Sequence, residues 1–297
     1  MAMIREPAWR VFASEFNAST LEYKGEGEKA PSYVITPLGA MINRLFIVGI
    51  LTDMQNLGTD QDPYWRATIS DGTDRFYVYA GKYAPEASAA LAKIEPPSFV
   101  AIIGKSRTYS SDDGRFYVSV RAEKVLTVDE HIKDIWLLDT IKATMRRIEA
   151  TEEAMQMESP TVEGFVNLGY PSALAEGLVR AAEHYQDMDV NRFRGTVLEA
   201  LEQLLPDRGF DLPIPPRDLP TGPEEIDDED IDDGEKEEVI LKLIDKLDVD
   251  KKGASLSDLI KEAAKLGILE DELEEIGNSL LDKGFVYEPT VNRMKRI

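Results

Sequence analysis

A chain of 297 residues with 43% hydrophobic side chains is long enough for two domains and apolar enough to bury a core, which excludes wholesale disorder. It has no cysteine, and its only histidines are His131 and His184, so disulfide frameworks, thiolate or histidine-rich metal centres and cysteine nucleophiles are excluded. The formal net charge of −22 argues against a polyanionic partner, no apolar run approaches a membrane span, and the N-terminal segment lacks an apolar signal core, so a soluble, intracellular protein is expected.

The distribution of charge qualifies the first of these points. Residues 1–42 carry four basic and five acidic side chains, and residues 43–128 ten of each. Residues 129–205 carry seven against 15, and 206–297 carry 13 against 26. The central segment is neutral and can still present a basic face, because affinity for phosphates depends on local charge.

Residues 1–42 read as an N-terminal extension packing on the strands of residues 43–128. In the first of those strands Leu45, Ile47, Gly49 and Leu51 alternate with Phe46, Val48 and Ile50, so both of its faces are apolar, as in a closed or covered sheet. Trp65, Ala67 and Ile69 alternate with Tyr64, Arg66 and Thr68, and Ser70-Asp71-Gly72-Thr73 is a turn leading into Phe76, Val78 and Ala80. A short alanine-rich helix, Ala84 to Ile94, stops at Pro96-Pro97. A fourth strand runs from Phe99 to about Tyr109 and a fifth from Arg115 to Val125, joined by Ser110-Ser111-Asp112-Asp113-Gly114. Five strands with one helix between the third and fourth is the layout of an OB-fold, a small Greek-key barrel. An immunoglobulin-like sandwich would want about seven strands and no such helix.

From Asp129, a plausible N-cap, to about Met157 the pattern turns helical, with Ile135, Leu138, Ile141, Met145 and Ile148 spaced by three or four. Two readings stay open: a helix lying on its own barrel, or an apolar stripe used as a subunit seam. Residues 158–205 read as two or three shorter helices. Residues 206–234 combine six prolines with the acid run Glu224 to Asp233, a self-repelling linker. Residues 235–297 read as three helices and a terminal hairpin (Phe285–Glu288, Arg293–Ile297), the plan of a winged helix. The whole is thus a mainly β OB-fold barrel, then helical segments, then a C-terminal winged-helix domain.

No catalytic constellation emerges, and an enzyme is not expected. Gly104-Lys105-Ser106 looks like the tail of a phosphate loop, but Phe99 stands where that loop needs glycine, and a strand surrounds it. Asp71 with Asp74, and Asp112-Asp113, are turn chemistry. No cofactor or metal is expected. What stands out is one strand face. With Phe76, Val78, Phe116, Val118 and Val120 inward, Arg75, Tyr77, Tyr79, Arg115, Tyr117, Ser119 and Arg121 point outward; Arg66 lies on the outer face of the second strand, and Lys105, Arg107 and Tyr109 end the fourth. Cations along a backbone and flat rings under bases are what single-strand binding requires. Aromatic rings are also good strand formers, but five outward arginines are not explained by β-propensity. The third helix of the terminal domain carries Glu270, Asp271, Glu272, Glu274, Glu275 and Asp282 against Lys283, which points to a protein partner rather than duplex DNA, although Arg293, Lys295 and Arg296 leave the hairpin basic.

Four stretches carry a family likeness: Arg10-Val-Phe-Ala-Ser-Glu-Phe-Asn17; Tyr33-Val-Ile-Thr-Pro-Leu-Gly39 running into Asn43-Arg-Leu-Phe-Ile-Val-Gly-Ile-Leu51; Ile69-Ser-Asp-Gly72; and Ile94-Glu-Pro-Pro-Ser-Phe-Val-Ala-Ile-Ile-Gly104. Together with the order barrel, long helix, acidic linker and winged helix, they resemble the archaeal form of the middle subunit of replication protein A, the replication-protein-A-associated proteins. The resemblance implies single-stranded DNA binding in replication, recombination and repair. It also implies a complex with a large multi-OB subunit, a subunit bundle built on the helix after the barrel, and docking of replication or repair proteins on the winged helix. It implies a cytoplasmic, nucleoid-associated location with no membrane partner. By position the stacking aromatics would be Tyr109 and either Tyr79 or Tyr83, tyrosines where the eukaryotic pattern has Trp and Phe. Alternatives are a docking subunit that does not itself touch DNA, a telomere-capping subunit binding strand ends, and, more remotely, an RNA-binding factor.

Overall fold

The computed structural model describes residues 7–25, 31–59, 61–111, 115–186, 188–205, 233–248, 253–266, 268, 270–282, 285–290 and 293–296. The expected linker therefore lies outside the described residues except for its last two, as does the turn Asp112-Asp113-Gly114. The described residues fall into two compact units, 7–205 and 233–296.

The first unit opens with a short helix α1 (Ala13–Asn17) and a small antiparallel sheet of β1 (Leu21–Lys24), β2 (Ser32–Ile35) and β3 (Met41–Ile42). The barrel comes next: β4 (Arg44–Asn56), β5 (Trp65–Ser70), β6 (Arg75–Ala80), helix α2 (Pro85–Leu91), β7 (Ser98–Ser110) and β8 (Phe116–Thr127). Its strands close in the order β4-β5-β6-β8-β7, with β6 and β8 parallel and the other pairs antiparallel. A closed five-stranded barrel with a helix between its third and fourth strands is consistent with the expected OB-fold. The alternation along the strands sorts the side chains as anticipated, with Leu45, Ile47, Leu51, Ala67, Ile69, Phe76, Val78, Val100, Ile102, Val118 and Val120 filling the interior. α1 and α2 plug the barrel, contributing Phe16, Ala87 and Leu91 to the same core. Gly104 sits in mid-strand at a register shift between β7 and β8, where a Cβ would stand 2.4 Å from the Arg121 carbonyl oxygen. Its glycine therefore serves close packing of strands, not a phosphate loop.

Four helices complete the unit: α3 (Glu130–Gln156), α4 (Val162–Asn167), α5 (Ser172–His184) and α6 (Val190–Glu202). Asp129 caps α3, its carboxylate accepting from the Ile132 N–H at 2.9 Å. The doubly apolar β4 is explained by what covers it. Phe46 and Val48, on its outer face, join Phe12, Trp136, Leu137 and α6 in a second core, and the Trp136 indole N–H donates to the Phe46 carbonyl at 2.8 Å.

This layer changes the reading of the α3 stripe. Ile141 and Ile148, expected in a subunit seam, are buried within the chain against Phe193 and Val197 of α6, and Met145 packs on the same cluster half-buried. The buried face of α3 is centred on Trp136, Thr140, Thr144, Arg147 and Thr151, rotated from the apolar stripe. Ile135 and Leu138 remain exposed. α6 has satisfied the larger part of the seam from the same chain, with Arg194 paired to Glu152 of α3 at 2.7 Å.

The unit is cross-tied by buried polar groups. Arg147 donates to both carboxylate oxygens of Glu15, Nε to Oε1 at 3.0 Å and Nη2 to Oε2 at 2.6 Å, and also to Thr144 Oγ1 at 2.9 Å. Thr36 Oγ1 donates to Glu15 Oε1 at 2.9 Å and accepts from the Ala40 N–H at 3.0 Å. Helix α5 docks on the turn between β2 and β3 at two glycines. Gly39 has φ +77°, and a Cβ on Gly177 would lie 2.0 Å from the Gly39 carbonyl oxygen. Asp71, in the β5–β6 turn, accepts from the Ala13 N–H at 2.7 Å and from the N–H and hydroxyl of Thr73. Burial pushes its carboxyl above the usual aspartate range, against the opposing effect of these donors.

The second unit contains α7 (Asp233–Leu247), β9 (Ala254–Ser255), α8 (Leu256–Lys265), α9 (Glu270–Asp282), β10 (Val286–Thr290) and β11 (Arg293–Arg296). The strands form a sheet in the order β10-β11-β9, and Ile240, Ile244, Leu259, Ala263, Leu273, Ile276, Leu280 and Met294 make a separate core. The side chains of the acids named on α9 lie outside the described residues.

All three tryptophans, Trp9, Trp65 and Trp136, belong to the first unit, so their fluorescence follows its unfolding alone. Arg147→Met is expected to lower its stability by about 3–5 kcal/mol in urea, because Glu15 is left buried and unpaired, whereas the double variant with Glu15→Leu loses less than the sum of the two singles. Gly177→Ala is expected to cost about 1–3 kcal/mol through the clash with Gly39. The stabilising contribution of protonated Asp71 is full below its unfolded pKa of about 3.9 and falls as pH rises through its higher folded value. Asp71→Asn should remove that downward slope of stability with pH in the same window.

Candidate nucleic-acid interface

Strand register brings most of the sequence-predicted residues onto one outer face of the barrel. Gln55 pairs with Arg66, Arg66 with Tyr79, Tyr79 with Arg121, Arg121 with Lys105, and Lys105 with Arg44, so these six occupy a single row across successive strands. Two residues along each strand, Asp53, Thr68, Tyr77, Ser119 and Arg107 form a second row on one side of the first. A third row holds Ser70 with Arg75 and Tyr117 with Tyr109. Strands lie about 4.8 Å apart, so the cations from Arg66 to Lys105 span roughly 14 Å of arc. Arg115 is exposed just before β8, at the loop joining β7 and β8.

The switch along β7 shows where this face begins. Ala101, near its start, is covered by the second core, whereas Lys105, Arg107 and Tyr109, on the same side of the strand, lie beyond it. The charge is arranged by neighbours: Arg66 Nη2 donates to Gln55 Oε1 at 2.7 Å, Arg107 Nη1 to the Ser106 carbonyl at 3.2 Å, and Arg44 is ion-paired with Glu123. Arg66, Arg75, Lys105, Arg107 and Arg121 are half-buried, with stems on the sheet.

The aromatic residues divide into two groups. Tyr109 is 42% exposed and stacks on half-buried Tyr117 with ring centroids 6.3 Å apart and planes at 30°. This pair presents an open ring surface. Tyr77 and Tyr79 are each only 8% exposed. Tyr64, at the end of the β4–β5 loop, stacks on Tyr79 at 5.7 Å and 22°. Alternation gave Tyr79 the correct side of the sheet but could not show that another ring covers it. Tyr64 itself lay in the same alternation as Arg66 and Thr68, so its position was available from the pattern. It is held by Asn56, whose Oδ1 accepts from the N–H groups of Gly58 and Tyr64. Tyr83, the other aromatic suggested by position, lies under Lys82 Nζ at 4.7 Å from its ring centroid.

Among the described residues there is no group of three or more side chains able to hold a metal, and no helix is long and apolar enough to cross a membrane. No protein-family model and no curated protein matches the sequence. Among solved structures, the chain is similar to the second single-stranded DNA binding protein of Mycobacterium smegmatis, at 17% identity over 29% of this chain and 86% of that one, with a TM-score of 0.26. It is similar to the mitochondrial single-stranded DNA binding protein Rim1 of S. cerevisiae at 15% identity, over 30% and 95% of the two chains, TM-score 0.24. A third likeness is to OBody NL8 bound to hen egg-white lysozyme, at 14% identity over 29% and 94%, TM-score 0.23.

The two groups of tyrosines should separate in stability measurements. Tyr77→Ala and Tyr79→Ala are expected to destabilise the first unit by about 2 kcal/mol or more, while Tyr109→Ala stays within about 0.5 kcal/mol of the parent in tryptophan-monitored urea unfolding.

Proposed function

We propose that the chain is a non-enzymatic, single-stranded DNA-binding accessory subunit that binds the strand across the outer face of β5, β6, β8 and β7. The observation that carries this reading is the single register row across β5, β6, β8 and β7 that holds Arg66, Arg121 and Lys105 on the same face as an open tyrosine pair. Arg66, Arg75, Lys105, Arg107, Arg115 and Arg121 would neutralise phosphates, and Tyr109 and Tyr117 would stack on bases. Tyr77 and Tyr79 act beneath them as support. The second unit, three helices with a small sheet, we read as a winged helix that docks replication or repair proteins. The sequence resemblance supplies the complex: a replication protein A with a large multi-OB subunit, which Ile135 and Leu138 on α3 remain exposed to meet.

The test uses the full chain and a fluorescent thymidine oligonucleotide of about 30 residues. Binding should weaken with salt, and each lost phosphate contact among Arg66, Arg107 and Arg121 should reduce the log–log salt slope by about 0.7. Tyr109→Ala with Tyr117→Ala should cost about 1–3 kcal/mol per base no longer stacked, roughly 5- to 150-fold. Unchanged affinity in these variants would overturn this site. Absence of micromolar binding by the full chain would move the DNA contact to a partner subunit and leave this chain a docking module.

A further inference from the structure

The C-terminal turns of α3 and α5 line one cavity of about 510 Å³ within the first unit, a size typical of ligand sites. We propose that it is a docking site for a peptide segment of a partner protein that presents one lysine or arginine between apolar side chains.

Two independent features select that chemistry. The first is charge. The last turns of two helices, where the helix dipoles are negative, border the same space. α3 has no basic residue in its last turn, Glu158 and Glu183 stand on the wall, and no Lys, Arg or His lines it. His184, the one base of the α5 terminus, is instead hydrogen-bonded to Thr20 Oγ1 at 3.0 Å. A cation is therefore favoured and an anion repelled. The second is shape. Met155, Met157 and Met188 converge on the cavity, and unbranched thioether chains remodel around varied apolar partners. A lipid chain leaves the acids without a partner. The cavity is separate from the strand face, so this proposal stands whether or not the chain binds DNA.

The probe is acetyl-Gly-Leu-Leu-Lys-Leu-Leu-Gly-amide, added to the full chain carrying 13C-methyl methionine. Shifts confined to Met155, Met157 and Met188, with Met41 and Met54 unmoved, are expected. The same peptide with Glu for Lys, or with Gly for every Leu, should bind at least about tenfold more weakly, as should the parent peptide to the Glu158→Gln/Glu183→Gln variant. Equal binding of the Glu peptide, or shifts spread over methionines outside the cavity, would overturn the proposal.

Discussion

Arg147 reaches Glu15 across 132 residues of sequence, and neither side chain has water to turn to, at 2% and 1% exposure. A guanidinium and a carboxylate taken out of solvent are tolerable only when each is fully hydrogen-bonded by the other and by fixed neighbours. Thr36, Thr144 and the Arg10 carbonyl complete the set. That requirement fixes three things at once: α1 under the barrel, the β2–β3 turn beside it, and the rotation of α3 about its own axis. Once α3 is so rotated, Trp136 meets the outer face of β4 and α6 has a surface to lie against.

The same rotation divides the outside of the barrel. The helical layer covers Phe46, Val48 and Ala101, the apolar outer positions of β4 and β7. Where that cover ends, the outer positions of β7 turn to Lys105, Arg107 and Tyr109, and those of β8 to Tyr117, Ser119 and Arg121. An uncovered sheet face has to be compatible with water, and long cationic stems lying over rings achieve this while leaving charge at the surface. The interface is thus what remains of the barrel after its own helices have been accommodated.

Local periodicity was enough for the strands, because an inward Val or Phe every second residue is a requirement of barrel closure at Phe76–Ala80 and Val118–Ala122 alike. It was also enough for the Ser70–Thr73 turn and the Asp129 cap, whose chemistry is contained in a few neighbouring residues. It failed where burial depends on residues far away in the chain. Thr140, Thr144 and Arg147 look like a solvated face of α3 yet form its buried side, because their partners arrive from residues 10–15 and from the helix backbone. Ile141 and Ile148 look like a seam because nothing near them in sequence announces α6. Tyr79 and Tyr109 are equivalent by alternation, and only the ring of Tyr64 distinguishes them.

Tyr185 accepts from the Thr20 N–H and donates to the Ile35 carbonyl, both at 2.8 Å, bonds that close over 165 and 150 residues. Together with the Glu15–Arg147 pair, they make residues 7–205 a single cooperative piece. A truncation at residue 128, where the barrel's last strand ends, would cut through that piece rather than beside it. At ribosomal rates of about 5–20 residues per second, the N-terminal segment waits roughly 10–30 s for its last partners. For most of that interval the nascent barrel carries Glu15 without Arg147, and its final settling is timed by a tyrosine at the far end of the unit.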